Sequence, residues 1–344
     1  MLASGAIVTA NACQHTDLFT ALRGGGGGTF GVVVSAIIKA HPTRPVLAHT
    51  LEVVPLNSSI TPLLNASAYM VSKYPLLSDE GFAGIAKLVK TTGQAVYQHT
   101  FMKLIESNSS AAAQNATIEH AKRVMNQQIV NNVAQSNKTS LYVKSSFKLF
   151  PSFQEYFQGS GKHQATASNN LVMASRFFDK KSILYQQKKL SGMLHTLLST
   201  EDGPVHASAS VLELLLIGGG HVLQPAPHTS VNPAWRKTYM LAEHLDFWPE
   251  NYGSQEIRHV KHEATFQKLK AMKAVAPDMG TYLNEADGYD PDWKKDWYGD
   301  RYDWLQTVKQ KYDPDEVFWC WRCVGSEGWD EVKGGTMYGP LCKN

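Results

Sequence analysis

Charge is scarce in this chain: Asp, Glu, Lys and Arg make up 18% of its 344 residues, against roughly a quarter in an average soluble domain. The 33 basic and 30 acidic residues leave a formal net charge of +3 and are interspersed. No basic face therefore asks for nucleic acid or an anionic membrane, and neither partner is expected. Long apolar runs are missing too. The most apolar stretch, Val211 to Gly220, is broken by Glu213 and is too short to span a bilayer. The amino terminus has no basic start and no long apolar core, so it does not read as a signal peptide. With 43% hydrophobic residues, the chain is neither disordered nor fibrous in composition. Its length allows a sizeable core, in one large domain plus a smaller portion of another.

Cysteine is limited to Cys13, Cys320, Cys323 and Cys342. The string Cys320-Trp321-Arg322-Cys323 has C-x-x-C spacing, but no second pair completes four zinc ligands, and no metal is expected. Nor does the pair open a helix after a strand, as a thioredoxin-like site requires. The preferred reading is a disulfide from one of the two to Cys342, although spacing does not fix connectivity. An oxidising compartment suits such a bridge. Asn57-Ser-Ser, Asn65-Ala-Ser, Asn108-Ser-Ser, Asn115-Ala-Thr and Asn137-Lys-Thr are N-glycosylation tripeptides clustered on one segment. They point to an exposed glycosylated face and a secreted protein, with chance tripeptides as the alternative. His259-x-x-His262-Glu263 satisfies neither H-E-x-x-H nor H-x-x-E-H and reads as the polar face of a helix running to Met272.

Glycine, by contrast, is concentrated. Arg23 is followed by five consecutive glycines, Gly24 to Gly28, then Thr29-Phe30-Gly31. Without Cβ atoms, such a run lets main chain approach something flat or bulky; the plainer alternative is a flexible tight turn. Gly26-Gly27-Gly28-Thr29-Phe30-Gly31 formally satisfies G-x-G-x-x-G, but a dinucleotide turn needs a strand before it and a helix after it. Here Thr16–Arg23 reads as a short helix and Val32–Ile38 as a β-branched strand, the reverse order. No Lys-Ser or Lys-Thr closes the run, which excludes a P-loop.

Further strands are expected at Val46–Val54, Ala95–Leu104, Ser140–Phe150, His206–Ile217 and Thr238–Trp248. Helical patterns lie around Ile60–Lys73, Ala111–Asn132 and Lys180–Leu198. Without strict alternation, this suits an α+β fold, an antiparallel sheet covered by helices on one face. Tyr302, Leu305, Val308 and Tyr312 share one face of a helix that must stop before Pro314.

The stretch from Asp17-Leu18-Phe19 through the glycine run to Lys39-Ala40-His41-Pro42 resembles the last motif of the FAD-binding domain in the vanillyl-alcohol oxidase and berberine bridge enzyme superfamily. Tyr282-Leu283-Asn284-Glu285-Ala286-Asp287, Trp297-Tyr298-Gly299, Tyr302, Leu305, Lys309, Tyr312-Asp313-Pro314 and Phe318 resemble its carboxy-terminal berberine-bridge segment. Val231-Asn232-Pro233-Ala234-Trp235-Arg236 fits the fungal members. The resemblance implies three portions: residues 1–45 as the carboxy-terminal part of a PCMH-type FAD-binding domain, 46–275 as a substrate domain, and 276–344 as the berberine-bridge segment. Met1–Thr9 alternates like a hairpin strand and resembles the middle of the FAD domain, so the family's pyrophosphate-binding residues and flavin-linking histidine have no counterpart here.

The activity implied is FAD-dependent oxidation of an alcohol, a sugar hydroxyl or a secondary-metabolite substrate. The flavin accepts a hydride, a nearby base takes the proton, and molecular oxygen serves as acceptor. An oxidative cyclase and a flavin-free, inactive relative are the alternatives. Carried over by position, Gly26, Gly27 and Val32 lie beside the cofactor, Gly31 permits the approach, and Asn284 is a cofactor contact. The next position, a tyrosine base in many plant members, is Glu285, a carboxylate with an unperturbed pKa of about 4.3. A second family base falls on Gln224, which cannot accept a proton. Proton transfer then falls to Glu285, to Tyr282 or another residue, or is lost. Glu285 also reads as a loop carboxylate paired with a cation.

Overall fold

The computed structural model describes residues 1–91, 94–136, 138–159, 170–198, 209–331 and 341–343. The chain divides into two compact units, each assembled from segments distant in sequence. Unit 1 comprises Met1–Lys39, Pro225–Trp235 and Gly280–Asn344; unit 2 comprises Ala40–Gln224 and Arg236–Met279.

Unit 2 is a seven-stranded antiparallel sheet with helices, the α+β arrangement expected. Its strands are β1 (Val46–Pro55), β2 (Phe82–Thr91), β3 (Gln94–Leu104), β4 (Leu141–Phe150), β5 (Leu171–Asp179), β6 (Ala209–Leu216) and β7 (Thr238–Phe247), in the order β4-β1-β3-β2-β6-β7-β5. Register sets the faces, because successive side chains alternate across a sheet. Leu51 opposes His99 and Ser145, and Ala86 opposes His99 and Leu214. The face holding His49, Leu51, Tyr97, His99, Leu212 and Leu214 is buried, with the helices Thr61–Ser72 and Gln187–Leu198 packed on the sheet. Thr50, Lys87 and Gln98 on the other face are exposed.

Two strands were not anticipated. β2 carries Gly84 and two alanines, a weak strand composition. Yet a Cβ at Gly84 would overlap the Thr100 carbonyl of β3, so glycine permits the close pairing. β5 is buried over most of its length on both faces and shows no alternation. The expected helices are present, two of them continued through wider π-helical turns at Asn126–Val130 and Ala264–Leu269.

A chain of side-chain hydrogen bonds crosses the buried face of unit 2. Tyr74 Oη meets Tyr97 Oη at 3.3 Å, Tyr97 Oη meets His99 Nδ1 at 3.0 Å, His99 Nε2 meets His49 Nδ1 at 2.8 Å, and His49 Nε2 meets Ser145 Oγ at 2.8 Å. Burial holds both imidazoles neutral. It pushes His49 down to about 4 and His99 well below the ordinary range, because desolvation penalises the charged ring.

Unit 1 has little regular structure: the helices Thr16–Leu22, Trp293–Tyr298 and Tyr302–Tyr312, and a ribbon of Trp329–Glu331 with Leu341–Lys343. Its core joins Leu18, Ala21 and Phe30 to Trp293, Trp297, Tyr298, Tyr302, Leu305, Val308 and Tyr312. The face expected for the last helix is thus the one it buries. Two expectations fail here. Val32–Ile38 forms no strand, and Val33, Val34, Ile37 and Ile38 are exposed. β-Branched composition favours a strand only where a hydrogen-bonding neighbour is present, and the pairing seen is Val32 with Met1. Met1–Thr9 likewise forms a reverse turn, Leu2 N donating to Ala6 O at 2.9 Å, in place of a hairpin strand.

The disulfide differs as well. Cys320 bridges Cys323, while Cys342 and Cys13 are free and exposed. Cys342 is paired opposite Asp330 in the terminal ribbon. No helix among the described residues is long and apolar enough to cross a membrane.

Candidate cofactor site

The glycine run begins where the helix Thr16–Leu22 ends. The carbonyls of a last helical turn need outside donors, and unit 1 supplies them from 225–235. Ser230 Oγ donates to Thr20 O at 3.0 Å, and Thr229 Oγ1 donates to Arg23 O at 2.7 Å. Arg23 returns the contact, its Nη1 donating to His228 O at 2.7 Å. At the other end, Lys309 Nζ donates to Thr29 O at 2.8 Å and to Phe318 O at 2.6 Å while paired with the buried Asp313 carboxylate. Asp17 joins the first helix to the last. Burial would raise its pKa, but hydrogen bonds from Lys311 and Tyr312 outweigh that and bring it to about 2.

Held at both ends, the run divides into two halves. A Cβ at Gly24 would overlap the backbone of Val231, and one at Gly25 would lie 2.7 Å from Ala21 O and from Leu305 Cδ2. These glycines serve packing within the protein. Gly27 and Gly28 have nothing within 4 Å of where a Cβ would stand, so their main chain is open to a ligand.

Of these two, Gly27 borders a cavity of about 280 Å³. Gly24, Gly26 and Gly27 line it with Leu22, Val231, Asn232 and Trp235 from two segments, and Thr281, Tyr282, Leu283, Asn284 and Trp297 from a third. Trp235 meets the Tyr282 ring edge-on at 5.6 Å, and Asn284 Nδ2 donates to Tyr282 Oη at 2.6 Å. Asn232 is fixed by donating to Asp296 O at 2.7 Å and accepting from Ala234 N at 2.9 Å.

Of the residues singled out in the sequence, Gly26, Gly27, Tyr282 and Asn284 therefore converge on one cavity. Gly31 and Val32 lie on a second, larger concavity of about 900 Å³ with Val8, Val33 and Ile37; Leu22 borders both. Glu285 follows Asn284 in a short 3₁₀ turn, its amide donating to Tyr282 O, and does not line the cavity. Gln224 belongs to unit 2. Asn232 and Trp235 carried a signal, the Val231–Arg236 string, but no role; Trp297 was visible only as part of a motif. Asp290, Asp292 and Asp296 bring carboxylate oxygens within 4.8 Å of one another, an acidic cluster that by itself defines no metal site.

Residues 281–322 match the berberine and berberine-like family. The chain is 31% identical to the FAD-linked oxidoreductase apf9 of Gibberella fujikuroi over 98% of its own length and 57% of that relative's. It is 29% identical to hmp9 of Hypomyces subiculosus, also an FAD-linked oxidoreductase, covering 53% of it. The crystal structure of the VAO-type flavoprotein MtVAO713 from Myceliophthora thermophila C1 superposes with a TM-score of 0.88 at 29% identity, over all of this chain and 58% of that one. The chain is thus similar to fungal FAD-linked oxidoreductases and VAO-type flavoproteins along its length, and to the berberine and berberine-like family over residues 281–322. It spans somewhat over half the length of these relatives. The fold extends to a xylooligosaccharide oxidase of the same fungus at TM-score 0.63 and 18% identity.

The cavity lining fits part of the family's cofactor. It offers open glycine backbone, aromatic rings and amide donors, and it contains no Lys, Arg or His to neutralise a pyrophosphate. Such a surface suits an uncharged, flat, hydrogen-bonding portion of FAD.

Proposed function

We propose that this chain is the part of an FAD-dependent oxidase that holds the uncharged portion of the cofactor and handles the substrate proton. The substrate is a hydroxyl-bearing small molecule, and oxygen is the final acceptor. The observation that carries this reading is the convergence of Gly26, Gly27, Tyr282 and Asn284 on one charge-free cavity. FAD, when bound, supplies the electron sink. The chain's own residues do the rest. Open glycine main chain admits a flat ring, Trp235 packs edge-on against the Tyr282 ring, and Asn284 donates to Tyr282 Oη, which accepts the substrate proton as the phenolate and becomes the phenol. Of the two candidate proton acceptors, Tyr282 lines the cavity, so the substrate proton is assigned to Tyr282, with Glu285 behind it in the same turn. Gly31 and Val32 serve the larger, apolar concavity on the other side of Leu22.

The test is anaerobic bleaching of the flavin in FAD-loaded protein against a panel of alcohols and oligosaccharides. Tyr282→Phe should slow flavin reduction by about a hundredfold, the usual scale for a lost acid or base, with FAD still bound. Glu285→Gln should slow it less. The reverse order would transfer the role to Glu285, and no bleaching by any substrate in the native protein would favour the inactive alternative.

The same reading places the protein outside the cell. Asn57, Asn65, Asn108 and Asn115 are all exposed on unit 2; Asn137 lies outside the described residues. Expression through a eukaryotic secretory route should give a product whose mass falls on N-glycosidase treatment, and an unchanged mass would reject the assignment.

A further inference from the structure

The Cys320–Cys323 disulfide, with Cα atoms 5.3 Å apart, closes a ring around two residues, and both grip the same loop. The Trp321 ring lies against Gly288, where a Cβ would overlap it, and 5.1 Å from the Tyr289 ring. Arg322 Nε donates to Gly288 O at 3.1 Å, and its guanidinium sits 5.2 Å from the Trp293 ring and 5.5 Å from the Trp321 ring. Arg322 adopts φ of 62°, a left-handed conformation that a residue with a Cβ holds only when its surroundings impose it. The gripped loop follows directly on Tyr282, Asn284 and Glu285. Both cysteines are half-buried and Trp321 between them is 50% exposed, so the bridge lies at the surface. Accessible disulfides are the ones that exchange.

We propose that the Cys320–Cys323 disulfide is a thiol-exchange site whose oxidised form clamps Gly288–Tyr289, and through them the Tyr282–Glu285 turn, and whose reduction by a dithiol releases the clamp. A thiolate of the dithiol attacks one cysteine sulfur, the S–S bond breaks, and the leaving cysteine thiolate takes a proton from water. The reductant's second thiolate then displaces the other cysteine, which is protonated in turn. The dithiol ends as a disulfide, and the chain gains two electrons and two protons as two thiols. Without the bridge, nothing covalent keeps Arg322 left-handed, and the paired grip of Trp321 and Arg322 on Gly288 is lost.

The experiment counts reactive thiols on the native 344-residue chain with a chromogenic aromatic disulfide, before and after millimolar dithiothreitol without denaturant. Hydrogen exchange is followed over 281–292 in the same samples. The two free thiols, Cys13 and Cys342, should become four, and exchange in 281–292 should quicken several-fold while the rest of unit 1 is unchanged. Trp321→Ala, which keeps the bridge, should show the faster exchange even when oxidised. A disulfide that opens only in denaturant would overturn the proposal. So would exchange in 281–292 that is the same in both redox states, or that rises equally throughout unit 1.

Discussion

In unit 2, seven paired strands carry the architecture. Its buried polar groups include a series of rings, Tyr74, Tyr97, His99 and His49, and the Lys268–Asp246 pair, which Ser210 also joins. Unit 1 has almost no ladder to rely on. Its segments, drawn from three parts of the sequence, are tied by single side chains, and Lys309 alone bonds Thr29 O, Phe318 O and Asp313. A sheet spreads its stability over many equivalent bonds, whereas a looped unit concentrates it in a few ionic and backbone contacts. The tryptophans separate the two experimentally, because Trp248 is the sole one in unit 2. Fluorescence therefore reports unit 1, and the strand signal in circular dichroism reports unit 2.

The hardest blow to unit 1 is Lys309→Met. It leaves the Asp313 carboxylate buried without its cation and orphans two carbonyls, at a cost of about 3–5 kcal/mol. In urea, the fluorescence transition should move to lower concentration and the strand signal should lag behind it. Lys268→Met should show the opposite order. Coincident shifts in both signals for both variants would break the distinction between the units.

Acid should separate them next. His49 and His244 are lowered to about 4 in the folded chain by burial, against about 6.5 unfolded. The unfolded chain therefore binds more protons between these values. The stability from these rings is complete above pH 6.5 and is lost as pH falls toward 4, on the order of 3 kcal/mol for His49. Asp17, lowered to about 2 from 3.8, loses its contribution only below pH 4. Strand melting should thus weaken between pH 6.5 and 4 while the Asp17 tie in unit 1 persists. His49→Gln, which retains hydrogen-bonding groups, should flatten part of that slope. An unchanged slope would remove His49 from the account.

The glycine run offers the finest division. Gly24→Ala should lower stability by about 1–2 kcal/mol, since a Cβ meets the Val231 backbone and φ is 137°. Gly27→Ala should stay within about 0.5 kcal/mol and show itself instead in weaker retention of FAD. If both alanines are equally costly to folding, the open half of the run is not a ligand surface.

Much of the fold was legible because it is locally encoded. The strands β1, β3 and β4 and the Tyr302–Tyr312 face are written in local residue type and spacing; the strands form, and the helix face is buried. β2 was hidden by Gly84, whose purpose is defined by its neighbour Thr100, and β5 by burial on both faces. Val32–Ile38 misled for the complementary reason: composition announces a strand, but pairing makes one.

For the candidate site, the sequence by itself supplied the glycine run, Tyr282 and Asn284, since residue type and motif spacing are properties of a single stretch. Only the tertiary structure could bring Asn232, Trp235 and Trp297 to the same cavity, separate Glu285 and Gly31 from it, and close Cys320 on Cys323. Those outcomes depend on which backbone groups from distant segments find partners, and no local pattern of residues records that.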